Sequence, residues 1–207
     1  MLDRLKFTPE GMKGTDMELI LASQSPRRQE LLRLFAVPFV VRVADVDETM
    51  DPEKSPFDEV ARVSHCKALA VPRGEDDVVI AADTIVVCQG KVLGKPKDAQ
   101  QAQQMLQLLS GRDHQVMTGV TVLRGQQQRV FTEVTDLHFR PLSTKEILRY
   151  IDTKEPMDKA GAYGIQGGAA LFCDKMTGDY YNVMGLPVCR LGQVLKEIAP
   201  DLMGEEA

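Results

Sequence analysis

Arg27 and Arg28 stand side by side in Ser23-Gln24-Ser25-Pro26-Arg27-Arg28, directly after an apolar run. The segment reads as the start of a helix, with Ser25 at the cap and Pro26 at the first helical position. A helix start carries roughly half a positive charge, so acidic side chains would stabilise it and two arginines oppose it. Free backbone N–H groups, two serines and two guanidinium groups together describe an anion site, in which charge-assisted hydrogen bonds would hold phosphate oxygens. An anion there removes the electrostatic conflict. Two solvated surface arginines are the plain alternative.

Acidic residues supply the complementary chemistry. Asp45, Asp47 and Glu48 lie in a loop just beyond a short apolar run. Their hard oxygens suit Mg²⁺ or Mn²⁺, which is commonly held by one or two carboxylates plus substrate phosphates, although a solvated acidic loop has the same composition. Asp83 interrupts Val-Val-Ile-Ala-Ala-Asp-Thr-Ile-Val-Val, a run apolar on both sides of its centre, as in a strand covered on both faces. A carboxylate there is costly unless paired, hydrogen-bonded or metal-bound. It is therefore structural or, at an accessible strand end, a general base or metal ligand. Lys67 and Lys95 are unremarkable as single lysines. Residues 157–170, rich in glycine and without a clear period, form a loop that brings backbone close to something. They offer Asp158, Lys159, Tyr163 and Gln166, and the Gln166 amide can both donate to and accept from a base edge. The Gly-x-Gly-x-x-Gly fingerprint and the Walker phosphate loop are both absent.

The elements that must position these residues follow from periodicity. Residues 18–22 read as a buried strand, 25–35 as a helix with Leu31, Leu32 and Phe35 in a stripe, and 39–43 as a second strand. Ser55-Pro56 opens a helix to about Ala70, with Val60, Val63, Lys67 and Val71 near one face. Strand 78–87 precedes a helix capped by Asp98 and closed by Gly111, with Ala102, Met105, Leu106 and Leu109 in register. Two alternating runs, 114–123 and 129–139, form a hairpin. Ser143 and Glu146 make a capping box for a helix through Ile151, and 187–198 is a closing amphipathic helix. Strands alternating with helices indicate an α/β fold.

At 207 residues the chain suits one domain, with two lobes at most, and no repeat or linker divides it. A net charge of −5 argues against a general nucleic-acid binder, so any anion site is local. Cys66, Cys88, Cys173 and Cys189 form no Cys-x-x-Cys pair, which favours reduced thiols in a cytoplasm over a zinc site. No apolar run has the length of a membrane span, and residues 1–17 lack the apolar middle of a signal peptide. They read as a disordered extension before a single domain over 18–199, with 200–207 as a C-terminal tail.

Leu-Ala-Ser-Gln-Ser-Pro-Arg-Arg-Gln-Glu-Leu-Leu, Ala-Ala-Asp-Thr-Ile-Val, Gly-Lys-Pro-Lys-Asp, Ser-Gly-Arg-Asp-His-Gln-Val-Met-Thr-Gly-Val, Glu-Pro-Met-Asp-Lys-Ala-Gly-Ala-Tyr-Gly-Ile-Gln-Gly and Gly-Asp-Tyr-Tyr-Asn-Val-Met-Gly-Leu-Pro-Val occur in that order over residues 19–195. In order and spacing they resemble the Maf proteins, nucleoside triphosphate pyrophosphatases also described as septum-formation inhibitors. The resemblance implies a mixed α/β fold with an elongated central sheet flanked by helices. It further implies two lobes around a cleft, similar to the inosine triphosphate pyrophosphatase architecture, and in many members a homodimer. It implies hydrolysis between the α and β phosphates with Mg²⁺ or Mn²⁺. By motif position, Ser23, Arg27, Arg28, Lys67 and Lys95 fall on phosphate-binding residues, and Glu48, with Asp83, on metal-associated acids. Asp83 also falls on the proton acceptor, and Arg27, Thr84 and Gln166 fall where base selectivity is set. Ala-Asp-Thr with Gly-Ile-Gln-Gly resembles the subgroup acting on dTTP and UTP, with CTP or modified pyrimidine nucleotides as further candidate substrates. Many relatives have Glu-Lys-Pro where this chain has Gly94-Lys95-Pro96. The rivals are a nucleotide-binding regulator of cell division with little turnover, and a pyrophosphatase for a modified nucleotide.

Overall fold

The computed structural model describes residues 17–204. The extension expected over residues 1–17 therefore lies outside the described residues except for Met17, which packs on the core. A seven-stranded mixed sheet runs through the molecule in the order β2-β1-β3-β5-β6-β7, with β4 (Lys91–Leu93) paired to the end of β3. β1 (Leu19–Leu21) is parallel to both β2 (Val40–Val41) and β3 (Val78–Cys88), whereas β3, β5 (Asp113–Arg124), β6 (Gln127–Phe139) and β7 (Cys173–Thr177) are successively antiparallel. The mixed α/β class and elongated sheet are those expected from the sequence.

The long strands β3, β5 and β6 bridge two hydrophobic cores. One joins Leu19, Leu21, Val78, Ile80 and Val120 to helices α1 (Pro26–Leu32) and α6 (Val188–Ile198). The other gathers Val86, Cys88 and Phe139 with helices α3 (Ala99–Leu109) and α4 (Thr144–Asp152). Helix α2 (Pro56–Ala70) covers the opposite face of the sheet, where Ala68 meets Ile20, Val79 and Ala81, and Val60 meets Ile85 and Met117.

Capping largely follows the sequence. Asp98 accepts from Gln101 N at 2.7 Å to start α3, and Ser143 with Glu146 forms the capping box of α4. The helix expected over 25–35 tightens after Leu32 into a 3₁₀ turn, Arg33–Phe35, and the Ser25 side chain makes no cap bond. The second strand shrinks to two residues because only Val40 and Val41 find ladder partners in β1. Three elements were too short to show a period: β4 (Lys91–Leu93), β7 and α5 (Tyr180–Met184). The glycine-rich segment forms the 3₁₀ turns Glu155–Asp158, Ala160–Ala162 and Gly168–Leu171. Past α6, Pro200–Met203 is a further 3₁₀ turn, held by Arg124 Nη1 to Asp201 Oδ1 at 2.7 Å, with Leu202 and Met203 on the first core. The beginning of the segment expected as a tail is thus packed.

Candidate active site

β3 is paired with β5 along nearly its whole length, but its other edge has two partners in succession. β1 accompanies it up to Leu21 opposite Ile80, and β4 takes over only at Leu93 opposite Val86. Residues 81–85 face that edge without a neighbouring strand, and the chain leaving β1 turns away there as Ser23-Gln24-Ser25. The interruption opens a cleft of about 1210 Å³ between the two cores. The nine residues that the resemblance assigns to the site all line it, namely Ser23, Arg27, Arg28, Glu48, Lys67, Asp83, Thr84, Lys95 and Gln166, as do Asp45, Asp158, Lys159 and Tyr163. Asp47 does not, and accepts from Thr49 N at 2.9 Å in its own loop. The carboxylate inside an otherwise apolar strand is therefore at an internal gap of the sheet, a position that periodicity alone does not reveal.

Successive residues of a strand point to opposite faces, so Asp83 and Thr84 serve the two sides of the cleft. Asp83 shares the face of Ala81 and Ile85, under α2. Its Oδ1 accepts from Lys67 Nζ at 2.8 Å, and the same ammonium lies 3.0 Å from Glu48 Oε1. The Asp83 side chain is 12% exposed and Lys67 14%, against 59% for Glu48, so the pair at the floor is enclosed while Glu48 closes over it from solvent. Helix α2 reaches this position because Gly119, opposite Asp83 in β5, has no side chain: a Cβ there would lie 2.4 Å from the Val60 carbonyl oxygen. The loop carrying Glu48 is tied to α2 by buried Glu59, which accepts from Asp51 N at 2.9 Å and pairs with Arg62 at 2.8 Å. Arg62 in turn donates to the Thr49 carbonyl at 2.8 Å. Hydrogen bonds from Arg62 and then from Asp51 hold the Glu59 carboxyl down at about 2.

On the other face Arg28 braces the serine loop against the sheet. Its Nε donates to the Gly185 carbonyl at 2.8 Å, Nη1 to Ser23 Oγ at 3.2 Å and Nη2 to Thr84 Oγ1 at 2.9 Å. Gly185 ends α5 in the left-handed conformation, so a guanidinium at the positive start of α1 meets the carbonyl end of another helix. Part of the charge conflict at Arg27-Arg28 is thus relieved within the protein. Burial lowers the Arg28 pKa, and the charge of Asp83 is the largest influence raising it. Thr118 Oγ1 gives its one proton to the Asn182 carbonyl at 3.0 Å, so in its 3.0 Å contact with Thr118 the donor is Thr84. Thr84 then accepts from Arg28 and donates to Thr118, which commits its hydroxyl to the protein. Ser23 Oγ accepts from both Ser25 N and Arg28, leaving its proton for an anion.

Arg27 is differently placed. Its Nη1 lies 3.7 Å from Asp158 Oδ2 across the mouth of the cleft, in a pair with Asp158 67% exposed. An ion pair of that kind contributes roughly 0–1 kcal/mol. Arg27→Ala is therefore expected to lower the melting temperature by no more than about 2–4 °C and to raise KM for an anionic substrate. Arg28→Ala, which removes three bonds to protein acceptors, is expected to lower melting by roughly 4–8 °C. Calorimetry of the two variants beside steady-state kinetics checks this separation.

The remaining wall comes from the second core. Lys95 follows β4, whose loop is pinned by Gly161 N donating to the Gly94 carbonyl at 3.1 Å, and Gln166 is exposed to the cleft among glycines. Thr118, Asn182 and Gly119 support the site without having been singled out from the sequence. The signal for Gly119 was a glycine amid a β-branched strand, which marks a bulge or a close backbone approach.

A mixed α/β sheet whose internal gap joins arginine and lysine cations to two convergent carboxylates offers the chemistry that a polyphosphate requires. The chain belongs to the Maf family, whose description, "Maf-like protein", matches residues 18–198. It is 54% identical over 181 residues to a protein of Symbiobacterium thermophilum named dTTP/UTP pyrophosphatase, covering 87% of this chain and 93% of that one. It is 50% identical over 181 residues to a protein of the same name from Bacillus cytotoxicus, covering 87% and 95%. A Ham1 protein structure from Coxiella burnetii aligns with a TM-score of 0.46 and 14% identity, covering 87% of this chain and 99% of that one.

Proposed function

We propose that the protein hydrolyses dTTP and UTP between the α and β phosphates, releasing the nucleoside monophosphate and pyrophosphate, in the cytoplasm. The observation that carries this reading is the convergence of Asp83 and Glu48 on one cationic point, Lys67 Nζ, at 2.8 and 3.0 Å, on the floor of a cleft walled by Ser23, Arg27 and Arg28. The names of the relatives at 50–54% identity support the pyrimidine substrates. All four cysteines are free, which suits a reducing compartment, and no helix among the described residues is long and apolar enough to cross a membrane.

The carboxylates fit a divalent cation. Both carboxylates converge on one point, so a side-chain adjustment that moves the Lys67 ammonium aside would let them share one metal ion. No third His, Cys, Asp or Glu joins them among the described residues, so the rest of the shell would come from phosphates and water, as Mg²⁺ and Mn²⁺ accept. When bound, such an ion would neutralise phosphate charge and help template in-line attack. Glu48 and Asp83 are the residues that would hold it.

Asp83 Oδ1 is fixed by Lys67, which leaves Oδ2 to take the proton of a water attacking the α phosphorus. Lys67 orients that carboxylate, and Arg27, the free N–H groups of Arg28, the Ser23 hydroxyl and Lys95 bind the phosphates and stabilise charge on departing pyrophosphate. Thr84 acts in this reading through Arg28, and Arg27 and Gln166 face the nucleoside. Pyrophosphate release measured across a panel of nucleoside triphosphates, with and without Mg²⁺ or Mn²⁺, tests the proposal. Metal-dependent turnover favouring UTP and dTTP is expected. Tight binding without turnover would instead support a nucleotide-responsive regulator.

A further inference from the structure

Glycine recurs around Gln166, in Gly164-Ile165-Gln166-Gly167-Gly168, more densely than a turn requires. The packing accounts for each one. A Cβ on Gly167 would lie 2.0 Å from Glu155 Oε1, one on Gly164 3.0 Å from the same oxygen and 2.7 Å from the Lys159 stem, and one on Gly168 3.2 Å from the Tyr150 ring. The backbone therefore wraps around the side chains of Glu155 and Tyr150. The closeness of backbone to a partner that the glycines signal is met within the protein.

The hydrogen bonds form a closed set. Gly164 N donates to Tyr150 Oη at 3.0 Å, Tyr150 Oη donates to Glu155 Oε1 at 2.9 Å, and Gly168 N donates to Glu155 Oε2 at 3.1 Å. Both ends of the arc that carries Gln166 are thus fastened to one carboxylate, directly at Gly168 and through a phenol at Gly164. The arc is closed on itself by Gly167 N to the Gly164 carbonyl at 3.1 Å. Lys159 Nζ holds the Glu155 backbone carbonyl at 2.7 Å, and the Tyr150 ring sits edge-on to Phe172 in the second core, 5.2 Å between centroids. Burial raises the phenol pKa well above its usual range, so Tyr150 stays a donor at any working pH. Glu155 borders the cleft, yet its oxygens are turned to the arc.

We propose that Tyr150 and Glu155 are positioning residues for base recognition: they hold residues 164–168 so that the Gln166 amide is presented at a fixed place to the base edge of a pyrimidine nucleotide. This rests on the substrate reading above. A side-chain amide discriminates donors from acceptors only if its orientation is held, and an arc released at one end would let it turn to suit either pattern. The chemical step, on the far side of the cleft at Asp83, does not depend on it.

Glu155→Gln and Tyr150→Phe test the proposal. The first keeps size while converting one of the two acceptor positions into an amide donor, and the second keeps the ring in the core while deleting only the hydroxyl. For each, kcat and KM are measured for UTP, dTTP and CTP by pyrophosphate release, together with the melting temperature. The expected result in both variants is a loss of roughly tenfold in the kcat/KM preference of UTP over CTP, carried by KM, with kcat on UTP within about threefold of wild type. An unchanged preference, or a parallel fall of kcat on every nucleotide, would overturn the proposal. If Glu155→Gln does not fold, Tyr150→Phe decides alone. Failure of the substrate reading is distinguishable, because then the wild-type protein itself shows no turnover or no preference between UTP and CTP.

Discussion

Replacing Asp83 with Asn is expected to cut turnover by roughly 10²–10⁴-fold, the range of a lost general base, while the fold persists and, at saturating Mg²⁺, nucleotide affinity changes far less. Asn keeps the shape of the side chain and an oxygen that can accept from Lys67, now 2.8 Å away. It loses the ability to take a proton. Because Asp83 lies at the floor of the gap between β1 and β4, where no strand edge needs its side chain, the change does not touch the ladder to β5. Circular dichroism and melting should match wild type, and KM for UTP should change far less than kcat. Pyrophosphate release within a few fold of wild type would remove Asp83 from the chemistry.

Gly119→Ala is the second change with a large expected effect, although this residue touches no substrate. The added Cβ would stand 2.4 Å from the Val60 carbonyl oxygen, 2.5 Å from its carbon and 2.7 Å from Ala61 N, all backbone atoms of α2. A helix backbone cannot rotate out of the way as a side chain can, so α2 must withdraw from the sheet. Overpacking of this kind typically costs about 1–3 kcal/mol. Lys67 lies seven residues beyond Val60 on the same helix and moves with it. Its bond to Asp83 and its contact with Glu48 are set by the position of α2. Displacement by about 1 Å at a catalytic site can cost 10²-fold in rate. The variant should therefore melt lower and turn over much more slowly, the kinetic loss exceeding what the folded fraction explains. A lower melting temperature with unchanged kcat would show that the seat of α2 does not set the catalytic geometry.

The parts of the molecule that were legible in the sequence are those with a strong local rule. Ser55-Pro56, Asp98 and the Ser143/Glu146 box marked the starts of α2, α3 and α4, two of them with the side-chain bonds expected. The alternation of residues 114–123 and 129–139 marked the β5–β6 hairpin. The strand read over 39–43 keeps only two residues because β1 pairs with no more, and five-residue α5 carries no measurable period and is held by the Arg28, Thr118 and Thr135 contacts around Asn182 and Gly185. The site divides in the same way. Asp83 was conspicuous because a charge in an apolar strand violates burial, and Arg27-Arg28 because they violate helix electrostatics. What each arginine does was not legible, since it depends on which acceptors the distant segments at Gly185 and Asp158 bring to it. The glycine-rich loop was recognised as a close approach, while its partners, Glu155 and Tyr150, look ordinary in sequence.

The central claim is attack of water on the α phosphorus, with Asp83 as proton acceptor and pyrophosphate as leaving group. Hydrolysis of UTP by the wild-type protein in ¹⁸O-labelled water, with Mg²⁺ or Mn²⁺ present, tests it most directly, with products separated and weighed by mass spectrometry. One labelled oxygen in UMP, and none in pyrophosphate, is the predicted result. Label in pyrophosphate, release of single phosphates, or no hydrolysis of any pyrimidine nucleotide would contradict it.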